Sequence, residues 1–353
     1  MDTLDFYRGK RVLITGHTGF KGSWLCRMLQ LAGAEITGYS LQPPTEPALF
    51  ALAGLDEEMT SIVGDVRDFA RMKQVFDEFQ PEIVLHLAAQ PIVRIGYRDP
   101  RGTYETNVMG TVNLLECCRL CESVKSVLNV TTDKVYENRE WPWGYRENEP
   151  LDGFDPYSNS KSCSELATHS YRNSFFKDCG IAVSTARAGN VIGGGDFAPD
   201  RIIPDCVRAM EHGQSICVRN PHSTRPYQHA LEPLFAYLMI ACAQWEDSAR
   251  ADYYNVGPDD CDCVTTGDLV DLFCRTWGDG AAWENQAEAN APHEANFLKL
   301  DCSKLKTVFG WKPTWHIDDA ITMTCSWSKV WLSGGDVRAE MDREIADFAG
   351  KRK

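Results

Sequence analysis

The chain has 353 residues, 43% of them hydrophobic and 24% charged, enough for one large or two moderate globular domains with a substantial core. Its 36 Lys and Arg against 50 Asp and Glu leave a net charge of −14, which speaks against nucleic acid or an anionic membrane as partner; any anionic ligand must be met by a local arginine cluster or a helix N-terminus. No apolar run approaches the roughly 20 residues of a membrane span, residues 1–11 lack the apolar segment of a secretion signal, and the 14 cysteines are scattered without paired ligand spacing, so the reading is a cytoplasmic protein with buried thiols and no metal.

Residues 10–15, β-branched and apolar, predict a first strand. Gly16, His17, Thr18, Gly19, Phe20 and Gly22 follow as a G-x-x-G-x-x-G turn opening a helix with Trp24, Leu25, Met28 and Leu29 on its apolar face. Strand, glycine turn and helix in that order aim backbone N–H groups and a helix N-terminus at one point, the arrangement that binds a dinucleotide pyrophosphate. A second strand over 35–41 ends at Tyr39, Ser40, Leu41 and Gln42, where an acidic residue would select NAD and a basic one would accept the extra phosphate of NADP. Neither is there, and the lack of an arginine favours NAD. A third strand over 60–64 leads to Asp65 and Val66, candidate contacts for the adenine. Residues 82–90 read as a buried parallel strand whose end, Leu87, Ala88, Ala89 and Gln90, lets the cofactor lie close; His86 within it is read as a packed, hydrogen-bonded histidine.

A helix over about 100–122 carries Asn107 and a face of Leu114, Leu115 and Cys118. The next strand, 126–131, delivers Thr132, Asp133 and Lys134 at its C-terminal end, where open parallel sheets keep their chemistry. Tyr157 and Lys161, four residues apart on a predicted helix, share a face, so the lysine cation can stabilise the phenolate of a tyrosine whose ordinary pKa is about 10. Strand and helix alternate through about residue 191. That predicts an α/β fold of Rossmann type, a doubly wound parallel sheet over 1–190 that binds the cofactor and carries the catalytic residues, with a smaller substrate-binding lobe over 191–353 from which the chain can cross back. Trp141, Pro142, Trp143, Gly144 and Tyr145 form a loop that either covers the site or packs on the surface. Arg201, Arg208, Arg219 and Arg225, with Gln228 and His229 behind them, gather as a diphosphate clamp. A short helix after Leu298 stops at Gly310 and would be capped by Asp301 or Ser303.

Through these residues together, the chain resembles an extended short-chain dehydrogenase/reductase acting on a sugar nucleotide, over essentially its whole length. More narrowly it resembles the CDP-glucose 4,6-dehydratases, which carry Thr-Asp-Lys where the dTDP-glucose branch carries Thr-Asp-Glu: Thr132-Asp133-Lys134, the loop from Trp141 to Tyr145, the stretch from Arg187 to Asp196, and Arg225-Pro226-Tyr227-Gln228-His229 follow that pattern. The resemblance implies NAD as cofactor and CDP-glucose as substrate. It implies Tyr157 as base for the sugar 4-hydroxyl, Thr132 hydrogen-bonded to that oxygen, and Lys161 holding the ribose and lowering the Tyr157 pKa. Asp133 and Lys134 would serve the elimination of water across carbons 5 and 6. By analogy Asp133 is the acid; Lys134 is either a neutral base or an ammonium that protonates the leaving group or steadies the enolate, and the sequence leaves these roles open. Substrate contacts implied with them are Arg94, Asn190, Arg201, Arg219, Arg225, Gln228 and His229.

Another sugar-nucleotide dehydratase, or a 4-epimerase, is the nearest alternative, since an epimerase also oxidises carbon 4 but needs no elimination pair. A dinucleotide-sensing protein without catalysis is the remote one, disfavoured by the intact Tyr157, Lys161 and Thr132. The resemblance also implies a homodimer built from the helices near 101–121 and beginning at Tyr157, with Leu166, Ala167, Tyr171 and the 111–118 face either in the interface or in the internal core.

Overall fold

The computed structural model of the protein describes residues 3–286 and 297–352. Seven strands form one sheet: β1 Arg11–Thr15, β2 Glu35–Ser40, β3 Thr60–Val63, β4 Ile83–His86, β5 Ser126–Thr132, β6 Ala182–Ala188 and β7 Tyr253–Val256. Every pairing is parallel, and the order across the sheet is β7-β6-β5-β4-β1-β2-β3. Strand order reverses beside β1, so the carboxyl ends of β1 and β4 border the crevice where such sheets bind ligands. The fourth strand is shorter than 82–90. After His86 the chain peels away, with the Leu87 N–H donating to the Thr15 carbonyl at 3.1 Å and the Ala88 N–H to the Thr15 hydroxyl at 3.2 Å.

The helices that matter for the site are α1 Phe20–Leu31, α2 Phe69–Phe79, α3 Pro100–Tyr104, α4 Gly110–Arg119, α5 Pro156–Tyr171, α6 Ile202–Glu211, α7 Leu231–Glu246, α8 Thr266–Trp277, α9 Ser303–Phe309, α10 Ile317–Leu332 and α11 Val337–Lys351. Side chains alternate across the strands. Val12, Ile14, Leu85 and Leu128 join a core with α1, α7 and α11, while Leu13, Val84 and Val127 join one with α2 and α4. Both faces are therefore covered, and β5 is buried at all seven positions. Each of its Val and Leu side chains contributes about 1.5–3 kcal/mol by leaving water. A third core, built from α6, α8 and α10, fills the smaller lobe.

The chain beyond residue 190 returns to the first lobe: α7 packs on β5 and β6, β7 pairs with β6, and α11 packs on α1. A division at 190 thus cuts the sheet between its sixth and seventh strands. The helix read over 100–122 is α3 and α4 joined by a π turn at Glu105–Met109. Its 111–118 face goes to the internal core, because Leu114, Leu115, Cys117 and Cys118 are fully covered by α2 and the sheet. Helix α9 ends at Gly310 in the left-handed region, as read, but its N-cap residue is Cys302; Asp301 accepts the Ser303 N–H at 2.8 Å from one position earlier.

Candidate active site

Thr132 closes β5, and the backbone leaves the strand through a single tight turn at Asp133–Val135, so three consecutive side chains project from the carboxyl edge of the sheet. Opposite them α5 begins at Pro156. Proline at the first helical position has its dihedral pre-set, and the Asp155 carboxylate caps the helix by accepting the N–H groups of Tyr157 and Ser158 at 2.9 and 3.1 Å. The first turn of α5 is thereby fixed against the end of β5, and Tyr157 and Lys161 are buried one turn apart.

The Thr132 side chain lies close enough to the Tyr157 phenol to pull its pKa down. The Thr132 hydroxyl also donates to Asp133 Oδ1 at 2.9 Å, and Lys134 Nζ donates to the same oxygen at 2.9 Å and to Asn190 Oδ1 at 3.3 Å. Asp133 is 0% exposed, and its second oxygen, Oδ2, has no hydrogen-bond partner among the described residues. A buried carboxylate oxygen without a donor is costly unless it faces a group the protein handles there.

The electrostatics correct one expectation: the phenol stands above its ordinary value, not below it. Burial pushes the Tyr157 phenol up to about 12, further raised by the charges of Asp133 and Asp155, while the Thr132 side chain and the Arg201 guanidinium pull it down. The Lys161 ammonium donates to the Val130 carbonyl at 3.0 Å, and burial pulls Lys161 itself down to about 8 against the opposing charge of Glu165. A cation in a desolvated site loses part of its own charge preference, which a sequence motif does not reveal.

The residues around the glycine turn fit a dinucleotide. Gly16 has φ +76, and a Cβ there would stand 2.7 Å from the Ala88 nitrogen; a Cβ at Gly22 would stand 2.1 Å from the Gly16 carbonyl oxygen. Only glycine leaves a cradle at these two points, and Gly19 caps α1 with no side chain over its N-terminus. Thr18 fastens the turn to β2 through the Ser40 hydroxyl at 2.8 Å and the Leu41 carbonyl at 3.0 Å. His17 faces inward, fully buried against Phe50 with Nε2 on the Ser61 hydroxyl at 2.8 Å, so only its backbone borders the cradle. Phe20 stands over Gly193. Asp65 holds Arg67 in a two-oxygen contact, and Val66 packs on Gly110. Asn107 ties the loop after β4 to the catalytic helix, binding the Gln90 N–H and carbonyl at 2.8 and 3.1 Å and the Ser160 hydroxyl at 2.9 Å.

The predicted clamp is brought together only in part. Arg201 reaches the electrostatic range of Tyr157 and pairs with Asp196 at 2.9 Å. Arg219 pairs with Asp200 at 2.7 Å, and Arg94 lies close enough to Asp200 to hold its carboxyl low beside it. Arg208 pairs with Asp205, and buried Arg225 donates to the Thr224 carbonyl at 3.0 Å. The interleaved Asp196, Asp200 and Asp205 were a sequence signal that the arginines carry internal partners. Gln228 and His229 are corrected: both are interior groups. Gln228 donates to the Val256 carbonyl at 3.0 Å, and His229, 0% exposed between Trp24 and Trp315, faces Glu344 of α11 at 3.4 Å.

Two residues that the motifs did not single out face the same pocket. Lys21, inside the glycine turn, is pulled down to about 7 by burial and then by repulsion from Lys161, Arg201 and Lys134, with Asp133 opposing. Its ammonium stands 5.9 Å from the ring centroid of Tyr237. Tyr237 of α7 is fully buried, its hydroxyl has no hydrogen-bond partner among the described residues, and the nearby Tyr157 charge adds to the burial that raises it. A lysine between Phe20 and Gly22 was visible in sequence; its direction was not. A separate cavity of about 910 Å³ is lined by Arg146, Glu147, Leu166, His169, Arg187 and Lys304 among others, and shares no residue with the Thr132 and Tyr157 pocket.

The sequence model of the GDP-mannose 4,6 dehydratase family matches residues 13–324. A CDP-glucose 4,6-dehydratase of Salmonella typhimurium is 49% identical over 350 residues, covering 98% of this chain and 97% of that protein. A dTDP-glucose 4,6-dehydratase of Xanthomonas campestris pv. campestris is 26% identical over 345 residues, 91% of this chain and 95% of that one. Among solved structures, a dTDP-glucose 4,6-dehydratase of Streptomyces venezuelae with NAD bound matches with a TM-score of 0.79 at 23% identity, over 92% of this chain and 99% of that chain. A UDP-glucose 4-epimerase of Thermotoga maritima, solved with UDP-glucose, reaches 0.79 at 20% identity over 91% and 99%. Dehydratase and epimerase thus share one fold, and the chemistry has to be read from the site.

Proposed function

Because the chain belongs to the GDP-mannose 4,6 dehydratase family of extended short-chain dehydrogenases/reductases, we propose that it is a hydro-lyase converting CDP-D-glucose to CDP-4-keto-6-deoxy-D-glucose and water. The observation that carries dehydration over epimerisation is the Asp133 and Lys134 pair, joined at 2.9 Å beside Thr132 at the mouth of the crevice. Oxidation at carbon 4 needs one base; elimination needs an acid and a base as well. The nucleotide is supported by the relative that is 49% identical over 98% of the chain.

NAD, bound in solved dTDP-glucose 4,6-dehydratases of this fold, would supply the acceptor for the hydride of carbon 4 and the donor for carbon 6. Its pyrophosphate suits the N–H groups over Gly16 to Gly22, and Asp65, Val66, the 87–90 loop and Asn107 border the rest of the cradle. Tyr157 takes the proton of the 4-hydroxyl while Thr132 hydrogen-bonds that oxygen. The resulting 4-ketone acidifies carbon 5. Asp133 hands a proton to the departing 6-hydroxyl, and Lys134 removes the proton at carbon 5. The ion pair carries both roles with a single proton: transfer along the 2.9 Å contact from Lys134 to Asp133 yields the neutral amine and the carboxylic acid that elimination requires. Arg201, Arg94, Arg219, Arg225 and Asn190 border the substrate side.

No helix among the described residues is long and apolar enough to cross a membrane. We place the enzyme in the cytoplasm as a homodimer in which α4 and α5 pack against their counterparts. Leu166 of α5 is 53% exposed, and Met109 just before α4 and Phe175 just after α5 are 50% and 42% exposed.

The test is to incubate the purified protein separately with CDP-glucose, dTDP-glucose, UDP-glucose and GDP-mannose and to record product masses. Loss of one water from CDP-glucose alone is the expected result. Unchanged mass with altered sugar stereochemistry would replace dehydration by epimerisation, and loss of water from a different donor would replace the nucleotide.

A further inference from the structure

We propose that Cys261, Asp262 and His316 form a binding site for one divalent cation of the zinc class, in the smaller lobe and sharing no residue with the Tyr157 pocket. Each of the three offers one donor atom, a thiol sulfur, a carboxylate oxygen and an imidazole nitrogen, and these atoms lie within 4.8 Å of one another. In the sequence only Cys261 and Asp262 are neighbours. His316, 54 residues beyond Asp262, is brought to them by the fold.

The backbone makes the arrangement. After β7 the chain turns through one tight turn at Asp260–Asp262 and enters a short strand, Cys263–Thr265, while His316 stands immediately before α10. Asp262 is buried between the two segments: Oδ1 accepts the Ile317 N–H at 3.0 Å, and Oδ2 meets His316 Nδ1 at 2.8 Å and Cys261 Sγ at 3.8 Å. One carboxylate oxygen, fixed by its twin, is therefore the common corner of the three donors. Cys261 and His316 are exposed, so an ion enters from solvent and a water molecule completes a fourth position. A four-coordinate zinc ion, with bonds of about 2.0–2.3 Å, sets its donors about 3.3–3.8 Å apart. The sulfur to oxygen separation already fits, and the nitrogen to oxygen separation needs about half an ångström more, which rotation of the exposed His316 ring supplies.

Charge favours the ion as well. The neighbouring carboxylates are matched by lysines, Asp259 by Lys306, Asp260 by Lys299 and Asp319 by Lys351. Asp262, the buried one, has His316 as its ion-pair partner among the described residues. A dication there replaces the proton between His316 and Asp262 and the proton of the Cys261 thiol, and both protons go to water. One sulfur, one nitrogen and one oxygen suit zinc or cobalt; magnesium and calcium take oxygen shells. Because Val264 of the following strand pairs with Arg225, the ion fastens the start of α10 to the segment that carries an arginine of the substrate side.

The experiment strips the purified full chain with a chelator, keeps it in a non-thiol reductant and titrates it with cobalt(II) chloride. Wild type should take up one cobalt per chain with a dissociation constant of about micromolar or tighter, showing the near-ultraviolet band of thiolate bound to cobalt and the intense visible bands of a four-coordinate ion. Zinc chloride should bleach both and excess magnesium chloride neither. Cys261→Ser should lose the thiolate band, and His316→Asn, which keeps a good helix cap, should weaken binding at least tenfold. Cys217→Ser, an exposed cysteine outside the cluster, should bind as wild type does. Zinc should raise the thermal midpoint of wild type and not that of Cys261→Ser, since an ion held by the folded chain stabilises it. Absence of cobalt binding, or a thiolate band that survives Cys261→Ser or full affinity in His316→Asn, overturns the site. Circular dichroism checks that the variants fold, and no arm depends on turnover of CDP-glucose.

Discussion

Replacing Arg187 by Met tests how the catalytic helix is anchored to the sheet. Arg187 of β6 and Glu165 of α5 are both 0% exposed and meet at 2.9 Å. Thr131 and Thr185 donate to the same carboxylate, and Arg187 also binds the Tyr136 hydroxyl at 2.8 Å and the Glu147 carbonyl at 3.0 Å. Glu165 lies one turn beyond Lys161, and Thr131 is the neighbour of Thr132, so this contact sets the spacing between the two halves of the site. Burial pushes the Glu165 carboxyl up, but the Arg187 charge, with His169 at 3.3 Å and hydrogen bonds from Arg187 and Thr131, holds it at about 2. Against an unfolded value of about 4.3, that depression corresponds to about 3 kcal/mol of stability, present above about pH 4.3 and lost as pH falls toward 2. Removing one partner of such a pair costs about 3–5 kcal/mol because the other charge stays buried. In Arg187→Met the remaining carboxyl is raised by desolvation, so its penalty is full at alkaline pH and is relieved as it takes a proton on acidification. Urea unfolding should therefore give a deficit of about 3–5 kcal/mol at about pH 8 that shrinks by about 1–2 kcal/mol at about pH 5, and Glu165→Gln added to Arg187→Met should recover much of it. A deficit unchanged with pH, and equally large in the double variant, would assign the loss to packing of the arginine stem and refute the charge argument.

Tyr157→Phe should abolish transient reduction of NAD, whereas Asp133→Asn and Lys134→Ala should slow elimination by about 10²–10⁴ while oxidation at carbon 4 persists; stopped-flow nicotinamide absorbance separates the steps. Gly22→Ala places a Cβ 2.1 Å from the Gly16 carbonyl oxygen, so calorimetric titration should show NAD affinity reduced by about tenfold or more, with the CDP-glucose side of the pocket untouched. His86, held between Thr15 and Thr111, is pulled down to about 3 by burial and then by the charge of Lys161. Its unfolded value is about 6.5, so the unfolded chain binds more protons in between, and the stability it contributes is present above about pH 6.5 and declines below; thermal unfolding of His86→Gln should lose about 2 kcal/mol less than wild type between about pH 6.5 and pH 5. Leu166→Asp, placing a charge on the exposed apolar strip of α5, should convert a light-scattering mass of two 39.6 kDa chains to one; an unchanged mass removes the α5 interface.

What the sequence determined by itself was local. The glycine turn after β1, the three residues that end β5, and the tyrosine and lysine one helical turn apart are set by neighbours within a few positions, and strand and helix periodicity placed all of them at the carboxyl edge of a parallel sheet. The family resemblance rode on those same short stretches. The tertiary structure decided whatever depends on residues far apart in the chain. His229 became a core group because Glu344 and Trp315 close over it, and three clamp arginines found their own aspartates. The 111–118 face went inward because α2 covers it, and Lys21 turned toward Lys161 and Tyr237. Most of all, burial decided the proton affinities: a sequence shows that a tyrosine and a lysine share a face, but only the packed pocket shows the phenol pushed up to about 12, the lysine pulled down to about 8, and Asp133 with one oxygen bonded and the other without a partner among the described residues. Desolvation is a property of everything that surrounds a group, and no window of sequence contains its surroundings.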